Sequence, residues 1–427
     1  MIRVGFVFEQ LDEGWLGGVN YFSNLLNAIY TLPDRKIEPV VFIGLKTDMN
    51  MFRDFPPVEV IRSGMLDVPD QIWQIRDILF AKSGNNQNLR GWISSVRIIL
   101  SGMFDTSVSL WVFRYITKNK FGYDGLLERL LRKHNISLLS HAGFLGTHAR
   151  IPSLGWIPDF QHLHLKDVFN DNEIKSRDRD YKNICRRCAT LLLSSYDARK
   201  DLADFAPDCV DKTHVLQFVA GLNSKVNIPS LDGLENRHKF KSPFFYVPNQ
   251  FWGHKNHRVI IEALHILKKT GRDVLVLSTG NANDYRQPDL IKSLCAYIEE
   301  NNLSENFRML GLVPRSDVIA LMRYSLALIN PSFFEGWSTT VEEAKSMGKR
   351  IILSDIDVHK EQNPPGGIFF NPKDPNDLAE KMWSLWTNRA VDAEQKLMEQ
   401  AIKDLPLRRL EFAKKYEDIV LSIVRNN

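Results

Sequence analysis

Short uninterrupted apolar runs alternate along this chain with stretches that carry apolar residues every three or four positions. In the first half, runs at 2–8, 37–44, 58–62, 137–141, 154–157, 189–195 and 213–220 read as strands, and helix patterns fall at 20–30, 172–188 and 195–205. The second half alternates more regularly. Strands at 244–247, 274–278, 308–312, 326–329 and 351–353 are separated by helices, the first at 255–269, and a last helix is predicted from Pro406 to Val424. Apolar runs without polar alternation are those of strands buried on both faces. Strand–helix alternation predicts parallel sheets covered by helices, with ligands at the carboxyl ends of the strands. Residues 222–243, rich in Asn, Ser, Pro, Gly and mixed charge, read as a linker between domains at 1–221 and 244–405, with 406–427 as a terminal helix.

Composition narrows the class. The 427 residues suffice for two domains, and 44% hydrophobic with 25% charged residues is the balance of a soluble globular protein. A formal charge of +4 suits an anionic substrate or membrane surface and is too small to argue for nucleic acid. Four Cys in so long a chain make no disulfide framework, and Cys185-x-x-Cys188 lacks the second pair or nearby His of a zinc site. The thiols therefore read as incidental and the compartment as reducing. Residues 1–8 lead directly into acidic positions without a signal-peptide pattern, and no apolar run reaches the length of a spanning helix. Residues 71–133 are less regular, with Trp73, Trp92, Trp111 and Phe113 mixed among Arg76, Arg90, Arg97 and Arg114. Helices packed on the sheet are the expected reading there, and contact with a membrane face is the second. No G-x-G-x-x-G follows the first strand, which argues against a dinucleotide oxidoreductase.

Chemistry concentrates in residues 326–355, LALINPSFFEGWSTTVEEAKSMGKRIILSD. An apolar run enters a loop through Asn330, Pro331 and Ser332. A helix pattern spans 339–347, Gly348 ends it, and a second apolar run comes next. Thr339 and Glu342 have the T-x-x-E spacing of a capping box, which predicts a structural role for Glu342. That leaves Glu335 in the loop and Glu343 one turn into the helix, around a helix start whose amides bind anions, phosphates especially.

The run E-G-W-S-T-T-V-E-E resembles the E-x7-E element of the retaining glycosyltransferases of family four. The resemblance implies an α/β chain of GT-B architecture, two Rossmann-like domains facing each other across a cleft. It implies that Glu335 contacts the donor sugar and Glu343 the nucleotide ribose, while Gly336, Trp337, Ser338, Thr339 and Thr340 cradle the diphosphate. Trp337 either narrows the sugar pocket or packs into the core. Residues 248–257 resemble the loop in which a Lys-Asn pair, here Lys255-Asn256, opens the next helix and the Lys reaches the diphosphate. Gln250 stands where many relatives carry an Arg, a departure from the usual two-cation clamp. Gly311-Leu312-Val313-Pro314 resembles the base-binding loop and makes Val313 a donor-binding candidate. In the first half, Asp159-Phe160-Gln161-His162 resembles a D-x-Q-H stretch at the inter-domain cleft. By that resemblance His162 contacts the donor sugar near its anomeric carbon, with Asp159 as second choice; the other reading is that both brace the turn after the strand. Gly17-Gly18 resembles the glycine loop of the first domain and reads equally as a tight turn. His162 with His164, and Asp355 with Asp357, are not expected to hold a metal.

The chemistry expected of such a site is stabilisation of a leaving group. Lys255 and the helix amides take up charge on the departing diphosphate, with no metal and no cofactor beyond the donor substrate. Glu335 and His162 hold the sugar while an acceptor hydroxyl attacks from the first-domain side, and the resemblance implies retention of configuration. The expected function is transfer from a UDP- or GDP-hexose to a glycan or lipid-linked acceptor in bacterial surface polysaccharide synthesis (O-antigen, capsule or lipopolysaccharide). The expected location is the cytoplasm, at the cytoplasmic face of the inner membrane if residues 71–133 touch lipid. The alternatives are another GT-B enzyme, such as a sugar-nucleotide epimerase or a phosphorylase, and a non-catalytic nucleotide-sugar-binding subunit. Glu335, Glu343 and Lys255 argue against the last, and Gln250 keeps it open.

Overall fold

The computed structural model describes residues 1–9, 16–67, 110–111, 113–114, 117–141, 143–146, 148–221, 227–282, 284, 286–389 and 391–426. Among them, strands β1 (Ile2–Phe8), β2 (Ile37–Ile43), β3 (Glu59–Arg62), β4 (Leu138–Ser140), β5 (Ser153–Ile157), β6 (Thr190–Leu193) and β7 (Thr213–Val215) form a seven-stranded sheet ordered β3-β2-β1-β4-β5-β6-β7. Strands β8 (Phe245–Val247), β9 (Val276–Ser278), β10 (Phe307–Met309), β11 (Leu328–Asn330), β12 (Ile351–Ser354) and β13 (Gly367–Phe370) form a second, six-stranded sheet ordered β10-β9-β8-β11-β12-β13. Neighbouring strands pair in parallel, from Ile2↔Ile37 in the first sheet to Ser354↔Phe370 in the second. Strand order reverses beside β1 and β8, and crevices for ligands open at the carboxyl ends of strands at such points. β13 was not expected from the sequence; its four residues stand between Pro364-Pro365 and Pro372, too short for a clear period.

Both sheets are covered by helices whose apolar stripes face inward. In α1 (Leu16–Tyr30) the stripe is Phe22, Leu25, Leu26 and Ile29, all buried on β1. The helix begins four residues before the predicted start, so Gly17 and Gly18 lie in its first turn and not in a strand-to-helix loop. Helix α2 (Gly125–Lys133) covers the other face through Leu127 and Leu131. Helix α3 (Asp171–Arg187), which opens with a full capping box at Asn170 and Glu173, buries Cys185, and Cys188 comes just after it. Burial pushes both thiols up to about 12, Cys209 adding to the effect at Cys185 and Lys212 opposing it at both, so neither is a thiolate at neutral pH. Helix α4 (Tyr196–Phe205) comes after β6.

Two boundaries differ from expectation. Part of the expected linker folds as α5 (Leu231–His238): Leu234 is buried in a second-domain cluster with Phe240 and Phe244. Arg237 fixes it by an ion pair of 2.6 Å and His238 by a hydrogen bond of 2.9 Å to the buried Asp317 of α8 (Arg315–Tyr324). Packing and charge thus override a composition that reads as coil. The second difference is the terminal helix. It does not begin at Pro406: α12 (Val391–Asn426) contains that proline, because each flank is held by a different domain. Upstream, Glu394 pairs with Lys349 and Arg350. Leu397 lies so close to Gly348 that a Cβ there would overlap its carbonyl oxygen; Gly348, at φ +63°, is also the left-handed cap of α9 (Thr339–Met347). Downstream, Phe412, Ala413, Tyr416, Ile419, Val420 and Ile423 join the first-domain core, and Tyr416 donates to Ser140 Oγ at 2.7 Å.

Most of the basic, aromatic stretch at 71–133, including Trp73, Trp92, Arg76, Arg90 and Arg97, lies outside the described residues. Of its described part, Arg114 is buried and pairs with Glu9 and Asp124 at 2.7 Å each, while Phe113 is exposed. Among the described residues no helix is long and apolar enough to cross a membrane.

Candidate active site

The loop after β8 turns through a short helical turn at Gly253–Lys255, and Asn256 then adopts a left-handed conformation (φ 52°) before α6 (His257–Lys269). Asn256 Nδ2 donates to the Pro331 and Pro372 carbonyls at 3.1 and 2.9 Å, clamping this turn to the loop after β11. The helix therefore opens two residues later than predicted, and Lys255 projects from the turn. Its Nζ lies 2.8 Å from both oxygens of Glu335, a pair joining positions 80 apart. Ser332 Oγ lies 2.7 Å from Glu335 Oε1. Burial alone would raise the Glu335 carboxyl, but Lys255, the nearby His359 ring and Ser332 outweigh it and hold the group at about 2. Glu335 is thus ionised throughout the neutral range.

The capping box expected at Thr339 is absent. Ser338 is the N-cap residue, at φ −79°. Its amide donates to Gln362 Oε1 at 3.1 Å and its hydroxyl accepts from Asn330 Nδ2 at 2.7 Å. Ser338 is therefore engaged within the protein through its amide, its carbonyl and its hydroxyl. Glu342, buried to 1% exposure, is held by Arg408 from α12, by Lys345 at 3.4 Å and by Gln362 at 3.2 Å. A chain of buried amides and hydroxyls stiffens the loop: Thr340 Oγ1 donates to Asn249 Oδ1 (3.1 Å), and Asn249 Nδ2 donates to Asn330 Oδ1 (3.2 Å). The amides of Thr339, Thr340 and Val341, at the first three positions of α9, have no intrahelical acceptor by helix geometry.

Glu343, one turn into α9, is buried and ion-paired to Arg315, the first residue of α8. Arg315 comes directly after the Gly311–Pro314 loop, and the Glu343 charge raises its own pKa further. The sequence reading missed Arg315; its only signal is a cation just after the proline that caps a helix, 28 positions from its partner. In that loop Gly311 O accepts from Gly280 N at 3.0 Å, Leu312 is exposed and Val313 is half-buried beside it. Gln250 does not face a ligand with its carbonyl: its Oε1 accepts from the Asn281 amide at 2.6 Å and braces the loops after β8 and β9. Glu343→Ala is expected to weaken nucleotide binding by about 10-fold, the scale of a lost charge-assisted hydrogen bond with its partner left unpaired. Arg315→Ala should give a smaller loss, because Glu343 stays in place. Isothermal titration with UDP and GDP checks both, and an unchanged affinity in Glu343→Ala would count against a role for this carboxylate in nucleotide binding.

The first domain meets this loop through the segment after β5. A Cβ on Gly336 would stand 2.6 Å from Pro158 O and 2.7 Å from Asp159 Cβ, so only glycine allows the two domains to approach here. Asp159 Oδ1 accepts from the Gln161 amide at 3.0 Å and starts a single helical turn at Gln161–His164. That turn decides the two histidines. In an extended strand positions 162 and 164 would share a face; in a helical turn they point apart. His162 is turned inward, fully buried against Phe160, Tyr181 and Phe205, and donates to Asp178 Oδ1 at 3.1 Å. His164 instead faces the second domain, its ring 5.0 Å from that of Phe334, and donates to Asp201 Oδ1 at 2.7 Å. Trp337 also turns away from the loop's interior. Its Nε1 donates to Phe218 O at 3.0 Å and its ring packs on the first-domain core. Gly17 and Gly18 sit at the start of α1, Gly17 facing open space. Asp355 pairs with Lys360 and Asp357 with Lys200.

Residues 235–404 match the family model described as Glycosyl transferases group 1. The N,N'-diacetylbacillosaminyl-diphospho-undecaprenol alpha-1,3-N-acetylgalactosaminyltransferase of Campylobacter jejuni is 29% identical over 171 residues, covering 38% of this chain and 42% of that protein. The match with this relative thus spans less than half of its length. Among solved structures, a glycosyltransferase from Rickettsia africae aligns over 100% of this chain and 99% of its own at 17% identity and TM-score 0.62. Anabaena HepE in complex with UDP and glucose aligns over 99% and 100% at 15% identity and TM-score 0.63. The chain therefore has the GT-B fold, two parallel-sheet Rossmann-like domains, and its second domain is similar to the glycosyl transferases group 1.

Proposed function

We propose that this chain is a metal-independent, retaining glycosyltransferase of family four that moves a sugar from a nucleotide diphosphate sugar to an acceptor hydroxyl. The observation that carries this reading is the Lys255–Glu335 pair, 2.8 Å at both oxygens, beside the start of α9. Two of the three N–H groups of the ammonium face Glu335, and the third remains for the leaving phosphate without breaking the pair. As the sugar–phosphate bond breaks, its electrons pass to the diphosphate. Lys255 and the amides of Gly336, Trp337, Thr339, Thr340 and Val341 take up that charge. Glu335, ionised, accepts from hydroxyls of the sugar. Glu343, steadied by Arg315, accepts from the ribose, and the loop at Val313 meets the base. The acceptor enters from the first-domain side, past Asp159 and His164, and closure of the domains excludes water.

The named Campylobacter relative acts on a diphospho-undecaprenol substrate, and the HepE complex holds UDP and glucose. These support a UDP-sugar as the first donor to try and a lipid-linked or glycan acceptor of bacterial surface polysaccharide synthesis, met at the cytoplasmic face of the inner membrane. The test is donor turnover with UDP-, GDP- and ADP-sugars, with and without EDTA and lipid-linked acceptors, the anomeric configuration of the product being read by NMR. We expect turnover with one donor class, unaffected by EDTA, and a retained configuration. Tight nucleotide binding without turnover of any donor would overturn this reading and leave a nucleotide-sugar-binding subunit.

A further inference from the structure

Glu361 and Gln362 are consecutive residues of α10 (Asp357–Gln362), and they hold partners on opposite sides of the domain boundary. The Glu361 carboxylate reaches the start of α4 in the first domain. Its Oε1 accepts from the Tyr196 amide at 2.8 Å and from Gln217 Nε2 at 2.5 Å, and its Oε2 accepts from the Asp197 amide at 3.1 Å. Tyr196 and Asp197 are the first two residues of α4, and the third amide, of Ala198, is taken by Ser195 Oγ at 3.0 Å. The second domain thus completes a helix cap in the first, where both hydrogen bonding and the helix dipole favour a carboxylate.

Gln362 faces the other way. Its Oε1 accepts from the Ser338 amide at 3.1 Å and its Nε2 donates to the Ser338 carbonyl at 3.0 Å, so one buried side chain holds both backbone groups of the residue that opens α9. Between them, α10 has little freedom: His359, fully buried, donates through Nδ1 to Ser354 O at 2.9 Å and ties the helix to the end of β12.

We propose that Glu361 is a positioning residue that couples closure of the two domains to the shape of the donor loop. With the first domain seated, three N–H groups fix Glu361, and α10 in turn fixes Ser338 so that the next amides converge on one diphosphate. When the domains part, Glu361 loses all three donors and Ser338 is held less firmly. The adjoining Lys200–Asp357 pair, 3.2 Å long with side chains 67% and 63% exposed, adds little to this and serves as a control. The inference rests on the reading of the α9 start as the donor site.

The experiment compares wild type with Glu361→Ala, Glu361→Gln, Gln217→Ala and Lys200→Ala in the full chain. It reads kcat, nucleotide affinity, and hydrogen–deuterium exchange of residues 336–341 with and without UDP. Glu361→Ala is expected to lower kcat by about 5- to 150-fold, the usual range of coupling free energies between two sites, while affecting nucleotide affinity less. It should also speed exchange in 336–341 ahead of any change in global stability. Glu361→Gln retains part of the effect, because its amide oxygen still accepts, and Gln217→Ala, which removes one donor of three and spares the fold, shifts exchange in the same direction but less. Lys200→Ala leaves all three readouts at wild-type values. Wild-type exchange at 336–341 in Glu361→Ala, or in Gln217→Ala should the former not fold, overturns the proposal. Exchange is read without an acceptor or turnover, so a chain that transfers no sugar would fail the donor-site reading while still reporting on Glu361.

Discussion

Lys255→Ala is expected to lower sugar transfer by about 10²–10³-fold, the loss that accompanies removal of one group stabilising a developing oxyanion. The same change should cost about 3 kcal/mol or more of stability, because it leaves a buried carboxylate without its counter-charge. Glu335 is 9% exposed at its side chain and Lys255 14%, so water replaces little of the lost partner. Burial would then raise the Glu335 carboxyl well above its present value of about 2, since Lys255 is the largest of the influences that hold it down. Activity and stability losses have separate origins here and can be pulled apart. The double change Lys255→Met with Glu335→Gln removes both charges together; it should recover most of the stability and none of the transfer. Thermal unfolding beside donor turnover reads both. Wild-type transfer in Lys255→Ala removes the ammonium from the mechanism, and a stable Lys255→Ala shows that Glu335 is less enclosed than its surroundings indicate.

The fold was legible because parallel strands buried on both faces leave unbroken apolar runs, and six of seven first-sheet strands match such runs to within a few residues. Lys255 and Glu335 were legible as separate motif positions, and their meeting results from both loops leaving neighbouring strands β8 and β11 at the same end. What the sequence did not disclose is direction. His162 and His164 point apart, one into the first-domain core and one toward Phe334, because these four residues curl into a helical turn. Trp337 turns to the first domain because Phe218 O offers its indole N–H an acceptor there, a contact between positions 119 apart. Glu361 carries no local pattern, and Arg315 only its place after the proline that caps α8: each is defined by a partner from a distant element, Glu343 and the start of α4. Pro406, read as a helix start, lies inside a helix because both flanks are packed, which no local propensity reports.

Acid should unfold this protein well before its carboxylates titrate. His141, His254 and His257 are buried, and burial above all lowers each to about 3, with Lys255 adding to the effect at the last two. His141 sits among the rings of Phe6, Tyr21, Trp156 and Tyr416, its nitrogens 2.7 Å from the Ser140 and Tyr21 hydroxyls. His257 stacks on Phe251 with centroids 4.3 Å apart. In the unfolded chain each ring takes a proton near pH 6.5, so below that value the unfolded state binds three more protons than the native state, and stability falls as pH falls. The slope approaches about 4 kcal/mol per pH unit, and the loss between pH 8 and pH 5 sums to about 6 kcal/mol. That is comparable with the roughly 5–15 kcal/mol that holds a domain folded. Glu335 works in the opposite range: its folded value is depressed to about 2, so its contribution is complete above the ordinary carboxylate value and fades only toward pH 2. The melting temperature, followed by circular dichroism, should therefore drop steeply between pH 6.5 and pH 5. His257→Phe, which keeps a ring on Phe251 and removes one titrating group, should flatten that drop by about a third. A melting temperature that stays level down to pH 5 would mean that these rings are protonated in the native protein and have acceptors or water around them.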